Sequence, residues 1–129
     1  MRKSNLIIIL DDDDDDRQML SAAFTDNYDN TSVLLFERTS DFIQYIESGA
    51  TLPSFIITDL YMAGITGLDI IETLKMNADT GQIPIAIMST TMNDTVQKAA
   101  LDMGAVDYFV KPSSLAEFSL IADSIMAKI

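Results

Sequence analysis

Apolar positions recur along the chain in two alternating rhythms. Short solid runs such as Leu6-Ile7-Ile8-Ile9-Leu10, Phe55-Ile56-Ile57-Thr58 and Ile85-Ala86-Ile87-Met88 have no polar partner on alternate residues, as expected of strands buried on both faces. Between them lie segments with apolar residues at helical spacing: Met19, Leu20, Ala23 and Phe24, then Leu68, Ile71 and Leu74, then Val96, Ala99, Ala100 and Met103. The pattern predicts strands over Asn5–Leu10, Ser32–Phe36, Phe55–Thr58, Ile85–Met88 and Val106–Val110. It predicts helices over Asp14–Asn27, Asp41–Glu47 behind a Ser40 cap, a third from Gly67, Asn93–Met103, and a fifth from Ser113 or Ser114 to the end. Gly49 and Gly104 are placed to end the second and fourth helices. On the fifth helix, Leu115, Phe118, Ile121 and Ile125 form the buried stripe and Leu120 falls off it. Five strands alternating with five helices predict an α/β domain with a parallel sheet, because each crossover is long enough for a right-handed βαβ unit.

The first strand ends abruptly in six consecutive aspartates, Asp11 to Asp16. Asp13 to Asp16 have a local explanation as an N-cap and first-turn carboxylates facing the positive end of a helix dipole. Asp11 and Asp12 do not, since two like charges side by side at a strand tip raise each other's pKa or demand a cation. Parallel strands align their carboxyl ends, where open α/β sheets bind ligands. That geometry predicts one rim carrying Asp11, Asp12, Asp59, Ser89, Thr90 and Lys111. Taken singly, Lys111 reads equally well as a surface charge, and Ser89 as a group satisfying a strand end.

Composition narrows the chemistry. The 129 residues carry 20 acidic and 8 basic side chains, a formal net charge of -12, so the surface repels nucleic acid and anionic membranes. Without cysteine or histidine there is no disulfide, thiol nucleophile, imidazole base or zinc site of the usual kind. The start Met1-Arg2-Lys3-Ser4-Asn5 is basic, but the apolar run after it is too short for a signal-peptide core or a membrane span. A single domain in the cytoplasm is expected.

Oxygen ligands on a rim suit a hard divalent cation, Mg²⁺ in first place and Mn²⁺ as the alternative. Asp12 and Asp59 are the expected direct ligands, with Asp11 bound directly or through water and the backbone carbonyl of Tyr61 as a further oxygen. With part of the charge neutralised, Asp59, alone on the central strand, becomes a candidate nucleophile towards phosphorus. Lys111, the Ser89 hydroxyl and the Thr90 backbone N–H would then stabilise phosphoryl oxygens.

The residues Leu10-Asp11-Asp12, Asp59-Leu60-Tyr61-Met62 with Gly67 after it, Ile83-Pro84 leading to Ser89-Thr90, and Gly104-Ala105 followed by Asp107-Tyr108 and Lys111-Pro112 resemble a response-regulator receiver domain over nearly the whole chain. The resemblance implies a flavodoxin-like doubly wound (βα)5 fold with strand order 2-1-3-4-5. It implies a phosphorylation switch in which Asp59 accepts a phosphoryl group from a histidine of a sensor kinase or histidine phosphotransfer protein. It further implies that Ser89 is then drawn inward, that Tyr108 turns in behind it, and that the face formed by helix four, strand five and helix five binds a downstream protein or relays the group onward. Self-catalysed transfer and hydrolysis are the only turnover implied.

The chain departs from the family pattern at three places. Ala63 stands where proline is usual, which loosens the loop after Asp59. Thr90 replaces a common alanine and crowds the path of an attacking water. Ser113 replaces a frequent phenylalanine. A stand-alone receiver is the expectation. The competing readings are a phosphorylation-independent interaction module of the same fold and a metal-dependent small-molecule phosphatase.

Overall fold

The computed structural model describes residues 4–129; the basic start Met1-Arg2-Lys3 lies outside the described residues. Its elements are β1 (Asn5–Leu10), α1 (Asp14–Thr25), β2 (Thr31–Phe36), α2 (Thr39–Glu47), β3 (Phe55–Asp59), α3 (Gly67–Lys75), a 3₁₀ turn (Thr80–Gln82), β4 (Ile85–Ser89), α4 (Asp94–Asp102), β5 (Asp107–Val110) and α5 (Leu115–Met126). All strand pairs are parallel and the order is β2-β1-β3-β4-β5. This is the flavodoxin-like arrangement, in which the strand order reverses between β1 and β3.

The solid apolar runs follow from position in the sheet. β1, β3 and β4 are interior strands, so their successive side chains enter two different cores. Ile8, Leu10, Ile56, Ile85 and Ile87 pack with Phe42 of α2, Ile70, Ile71 and Leu74 of α3, and Ala100 of α4. Ile7, Ile9, Phe55, Ile57, Ala86 and Met88 pack with Leu20, Ala23 and Phe24 of α1 and Phe118, Ile121, Ala122 and Ile125 of α5. Each fully buried Ile, Leu or Phe contributes roughly 1.5–3 kcal/mol relative to exposure. A one-residue slip of any interior strand would exchange its two faces, so the register that carries the strand tips is firmly held.

Local signals set the helix starts. Asp13 caps α1 by accepting from the Asp16 N–H, Asn93 caps α4 and Ser114 caps α5. Thr66 and Asp69 form a reciprocal capping box on α3. Gly49 and Gly104, at positive φ just beyond α2 and α4, occupy backbone that other residues rarely adopt.

Four expectations need correction. α2 begins at Thr39, with extended Arg38 as its N-cap and no side-chain cap bond; Ser40 lies inside the first turn and caps nothing. Of the α4 residues expected inside, only Ala100 is fully buried, while Val96 and Met103 pack from the margin. This nine-residue helix meets chiefly the edge strand β5, which leaves it little surface to cover. Leu115 is 53% exposed, because it is the first helical residue, a full turn ahead of Phe118, which enters the core. On α3, Ile70 is buried while Leu68 is only partly covered. Leu120 is exposed, as its place off the stripe predicts.

Gly67 joins the fold to the site. Its N–H donates to the Leu60 carbonyl at 2.7 Å. A Cβ placed there would lie 2.8 Å from Ile87 Cδ1 and 3.0 Å from the Asp59 carbonyl oxygen. Backbone oxygen at the tip of a central strand cannot move aside freely, so Gly67→Ala is expected to cost about 1–3 kcal/mol. Urea unfolding measures it, and a loss below about 0.5 kcal/mol would mean that the loop yields without strain.

Candidate functional site

The aligned strand ends bring together the tips of β1, β3, β4 and β5. Asp59 stands at the end of β3 one register step from Ser89, and Ser89 is paired with Val110, the residue before Lys111. The Lys111 N–H donates to the Ser89 carbonyl oxygen at 2.6 Å, which carries the β4–β5 ladder one residue past the last strand pair. Carboxylate oxygens of Asp11, Asp12 and Asp59 all lie within 4.8 Å of one another. Asp11 and Asp59 are buried and Asp12 is exposed, so the trio has a dry floor and a wet mouth.

The Lys111 ammonium is the central cation. Its Nζ lies 2.9 Å from Asp11 Oδ2, 2.9 Å from Asp16 Oδ2 and 3.3 Å from Asp59 Oδ2, with only 9% of the side chain exposed. Burial pulls its pKa down, but hydrogen bonds to Asp11 and Asp16 and the charges of Asp11 and Asp59 more than reverse this, holding the ammonium above its usual range. Burial raises the Asp11 pKa, against the Asp13 N–H bond and Lys111, which lower it. Burial also raises the Asp59 pKa, reinforced by the Asp11 charge and opposed by Lys111. Close carboxylates whose ionisation is costly form a donor set of hard oxygens that a divalent cation fits.

Of the rim residues expected from the sequence, Asp11, Asp12, Asp59 and Lys111 form this cluster, and Ser89 and Thr90 follow at the end of β4, the strand beside β3. Ser89 is buried at the end of β4, its hydroxyl accepting from the Thr91 N–H at 3.4 Å, and Thr90 beside it is exposed. Tyr61, two residues beyond Asp59, exposes its ring and bridges to Thr66. Tyr108 is already inside, buried in the core layer shared with α2, α3 and α4, with its hydroxyl donating to the Thr91 carbonyl at 3.1 Å.

Two residues escaped the sequence reading. Asp16 belongs to the Lys111 cluster as well as to the first turn of α1. Arg17 is buried beneath the aspartate loop: its Nη1 donates to the Asp11 carbonyl oxygen at 2.7 Å, and its Nη2 pairs with Asp14 and, at 3.5 Å, with Glu37 after β2. Arg17 therefore fixes the backbone that aims Asp11. The signal was present in the sequence, since Arg17 shares the stripe of Leu20 and Phe24 at i+3 and i+7 and follows Asp14 at i+3.

These electrostatics set a pH dependence. The raised pKa of Asp59 means that the folded state binds a proton more readily than the unfolded chain, so ionised Asp59 lowers stability above its folded pKa and the penalty fades as pH falls towards 3.8. In metal-free buffer at pH 7, Asp59→Asn is expected to raise stability, and the gain should shrink on acidification. Thermal unfolding from pH 7 to 4 tests this, and an equal or lower midpoint at pH 7 would contradict it.

Comparison with known proteins places the chain. The sequence profile of the Response regulator receiver domain matches residues 7–122. The two-component response regulator ORR7 of Oryza sativa subsp. indica is 36% identical over 73 residues, 57% of this chain and 35% of that protein, so the chain matches about a third of its rice relative. Among solved structures, the Mn²⁺-bound form of response regulator Rcp1 superposes with a TM-score of 0.83 at 16% identity, covering 94% of this chain and 91% of that one. The phosphorylated cyanobacterial phytochrome response regulator RcpA does so with a TM-score of 0.86 at 19% identity, covering 95% and 91%. With this fold and a profile match that runs from within β1 into α5, the chain belongs to the response regulator receiver domain family of two-component signalling.

Proposed function

We propose that residues 1–129 form a single phospho-acceptor receiver in which Asp59 takes a phosphoryl group from a partner's phosphohistidine and thereby changes what the domain binds. The observation that carries this reading is the cluster itself: three carboxylates within 4.8 Å of one another, with a buried ammonium 3.3 Å from Asp59. An Asp59 carboxylate oxygen forms the new bond to phosphorus as the P–N bond to the donor imidazole breaks, and the imidazole nitrogen keeps the electron pair and takes a proton. The donor belongs to a sensor histidine kinase or a histidine phosphotransfer protein, since this chain has no histidine.

Asp12, Asp59 and, directly or through water, Asp11 would hold Mg²⁺ or Mn²⁺, with the Tyr61 carbonyl as a further ligand. When bound, the cation neutralises charge on the carboxylates and on the arriving phosphoryl oxygens. The chain's own contribution is positioning: Lys111 faces one phosphoryl oxygen, and the Ser89 hydroxyl with the Thr90 N–H faces another. The switch is a two-state repacking biased by the new charge, with Ser89 drawn towards it. Tyr108 is already inward in this form, so its bond to Thr91 makes it the anchor of the loop after β4. The output face is that of α4, β5 and α5, where Leu101, Val106, Val110, Leu115 and Leu120 are exposed. Among the described residues no helix is long and apolar enough to cross a membrane. With a net charge of -12, the partner is a protein, not nucleic acid.

Incubation with Mg²⁺ and acetyl phosphate or phosphoramidate is expected to add the mass of one phosphoryl group, and Asp59→Asn is expected to remain unlabelled. Absence of label in the parent protein would favour a phosphorylation-independent module, and turnover of donor without an adduct would favour a hydrolase. Thr90 stands exposed next to Ser89, and its side chain, larger than the alanine common there in the family, would crowd an attacking water. Thr90→Ala is therefore expected to speed loss of the phosphoryl group several-fold, on the order of 1 kcal/mol in the barrier. An unchanged or slower loss, followed by mass spectrometry after donor removal, would remove Thr90 from the account.

A further inference from the structure

Asp16 makes a contact that helix capping does not require. It occupies the third position of α1, where its backbone N–H donates to Asp13 Oδ1 at 2.9 Å. Its carboxylate reaches the end of β5 and accepts from Lys111 Nζ at 2.9 Å, as short as the Asp11 contact and shorter than the 3.3 Å to Asp59. An ammonium has three N–H donors. Lys111 donates to Asp16 and Asp59 and lies in ion-pair contact with Asp11 Oδ2, so a phosphoryl oxygen meets an ammonium already engaged by three carboxylates.

We propose that Asp16 is a built-in competitor for the Lys111 ammonium, a positioning residue that restrains Asp59 from accepting and keeping a phosphoryl group. This rests on the phospho-acceptor reading above. A phosphoryl group on Asp59 brings nearly two negative charges and three acceptor oxygens, and its contact with Lys111 competes with the carboxylates already drawn to the ammonium.

Asp11 is poorly suited to release. It is wholly buried, its Oδ1 accepts from the Asp13 N–H at 2.9 Å, and withdrawal of Lys111 would leave an unpaired charge in the interior. Asp16 retains 21% exposure at a helix terminus, so it exchanges the ammonium for water at small cost. Its negative charge also opposes an arriving phosphoryl group. The two effects have the same sign, and both disappear when Asp16 is neutral.

The test compares Asp16→Asn with Asp15→Asn, which removes the same charge from the neighbouring, exposed position. With acetyl phosphate, the Asp59 oxygen–phosphorus bond forms as the phosphorus–oxygen bond to acetate breaks; acetate leaves with the electron pair, and Lys111 stays protonated. At saturating Mg²⁺, Asp16→Asn is expected to accept the phosphoryl group about three- to tenfold faster than the parent, the scale of a partly exposed charge pair. Asp15→Asn should stay within about twofold, the residual expected of a screened surface charge.

Affinity for beryllium trifluoride with Mg²⁺ supplies a second readout that needs no covalent step, and it should tighten in Asp16→Asn alone. A destabilised first turn of α1 would weaken both readouts, so a merely structural role for Asp16 predicts the opposite sign. Equal effects of the two substitutions, or no gain in Asp16→Asn, overturn the inference. If the parent accepts no phosphoryl group, the phospho-acceptor reading fails, and the beryllium trifluoride comparison still decides the competition for Lys111.

Discussion

Everything at this rim depends on one electrostatic balance. Parallel packing forces the carboxylates of Asp11, Asp12 and Asp59 to within 4.8 Å of one another, and a single ammonium answers much of their repulsion. The apolar cores on the two sides of the sheet supply the free energy that holds them there. Strands with Ile7, Ile9 and Ile57 on one face and Ile8, Leu10 and Ile56 on the other cannot slide or twist apart to relieve the charge. The site is therefore a region of local conflict maintained by the surrounding packing, as functional sites often are.

The backbone around the conflict is braced by a second cation. Arg17 spends its guanidinium on the Asp11 carbonyl oxygen and on the Asp14 and Glu37 carboxylates, tying the β1–α1 loop to α1 and to the end of β2. The two cations divide the work: Lys111 faces the carboxylates where charge changes, and Arg17 sits behind them where geometry must not change. Arginine suits the second task, since its planar fork engages several acceptors at once and stays protonated. The aspartate run is likewise divided among several roles. Asp11 and Asp12 face the rim, Asp13 caps α1, Asp14 neutralises Arg17, and Asp16 turns back to Lys111.

Much of this was legible in the chain. Interior strands had to be solid apolar runs, caps had to be small polar residues, and Asp13, Asn93 and Ser114 occupy those places. The misreadings share a cause. Ser40 looked like a cap because hydroxyls usually are, yet the helix starts wherever the backbone leaves the extended region, here at Arg38. Leu115 and the α4 residues fit a helical stripe, but a stripe tells only which side faces inward and not whether anything lies there to cover it. Arg17 was passed over because a charge on an apolar stripe reads as an interruption, although burial with three oxygen partners makes it part of the interior.

The order of residues by itself determined the alternation of strands and helices, the parallel sheet and the collection of Asp11, Asp12, Asp59, Ser89 and Lys111 at its carboxyl edge, because side-chain periodicity and crossover length are local properties. Tertiary structure alone decided which groups pair across the chain: that Lys111 bridges Asp11, Asp16 and Asp59, that Arg17 reaches Glu37, and that Tyr108 points inward to Thr91. Those pairings depend on distances of about 3 Å between atoms as many as 100 residues apart in the chain, and no periodicity encodes a distance of that kind.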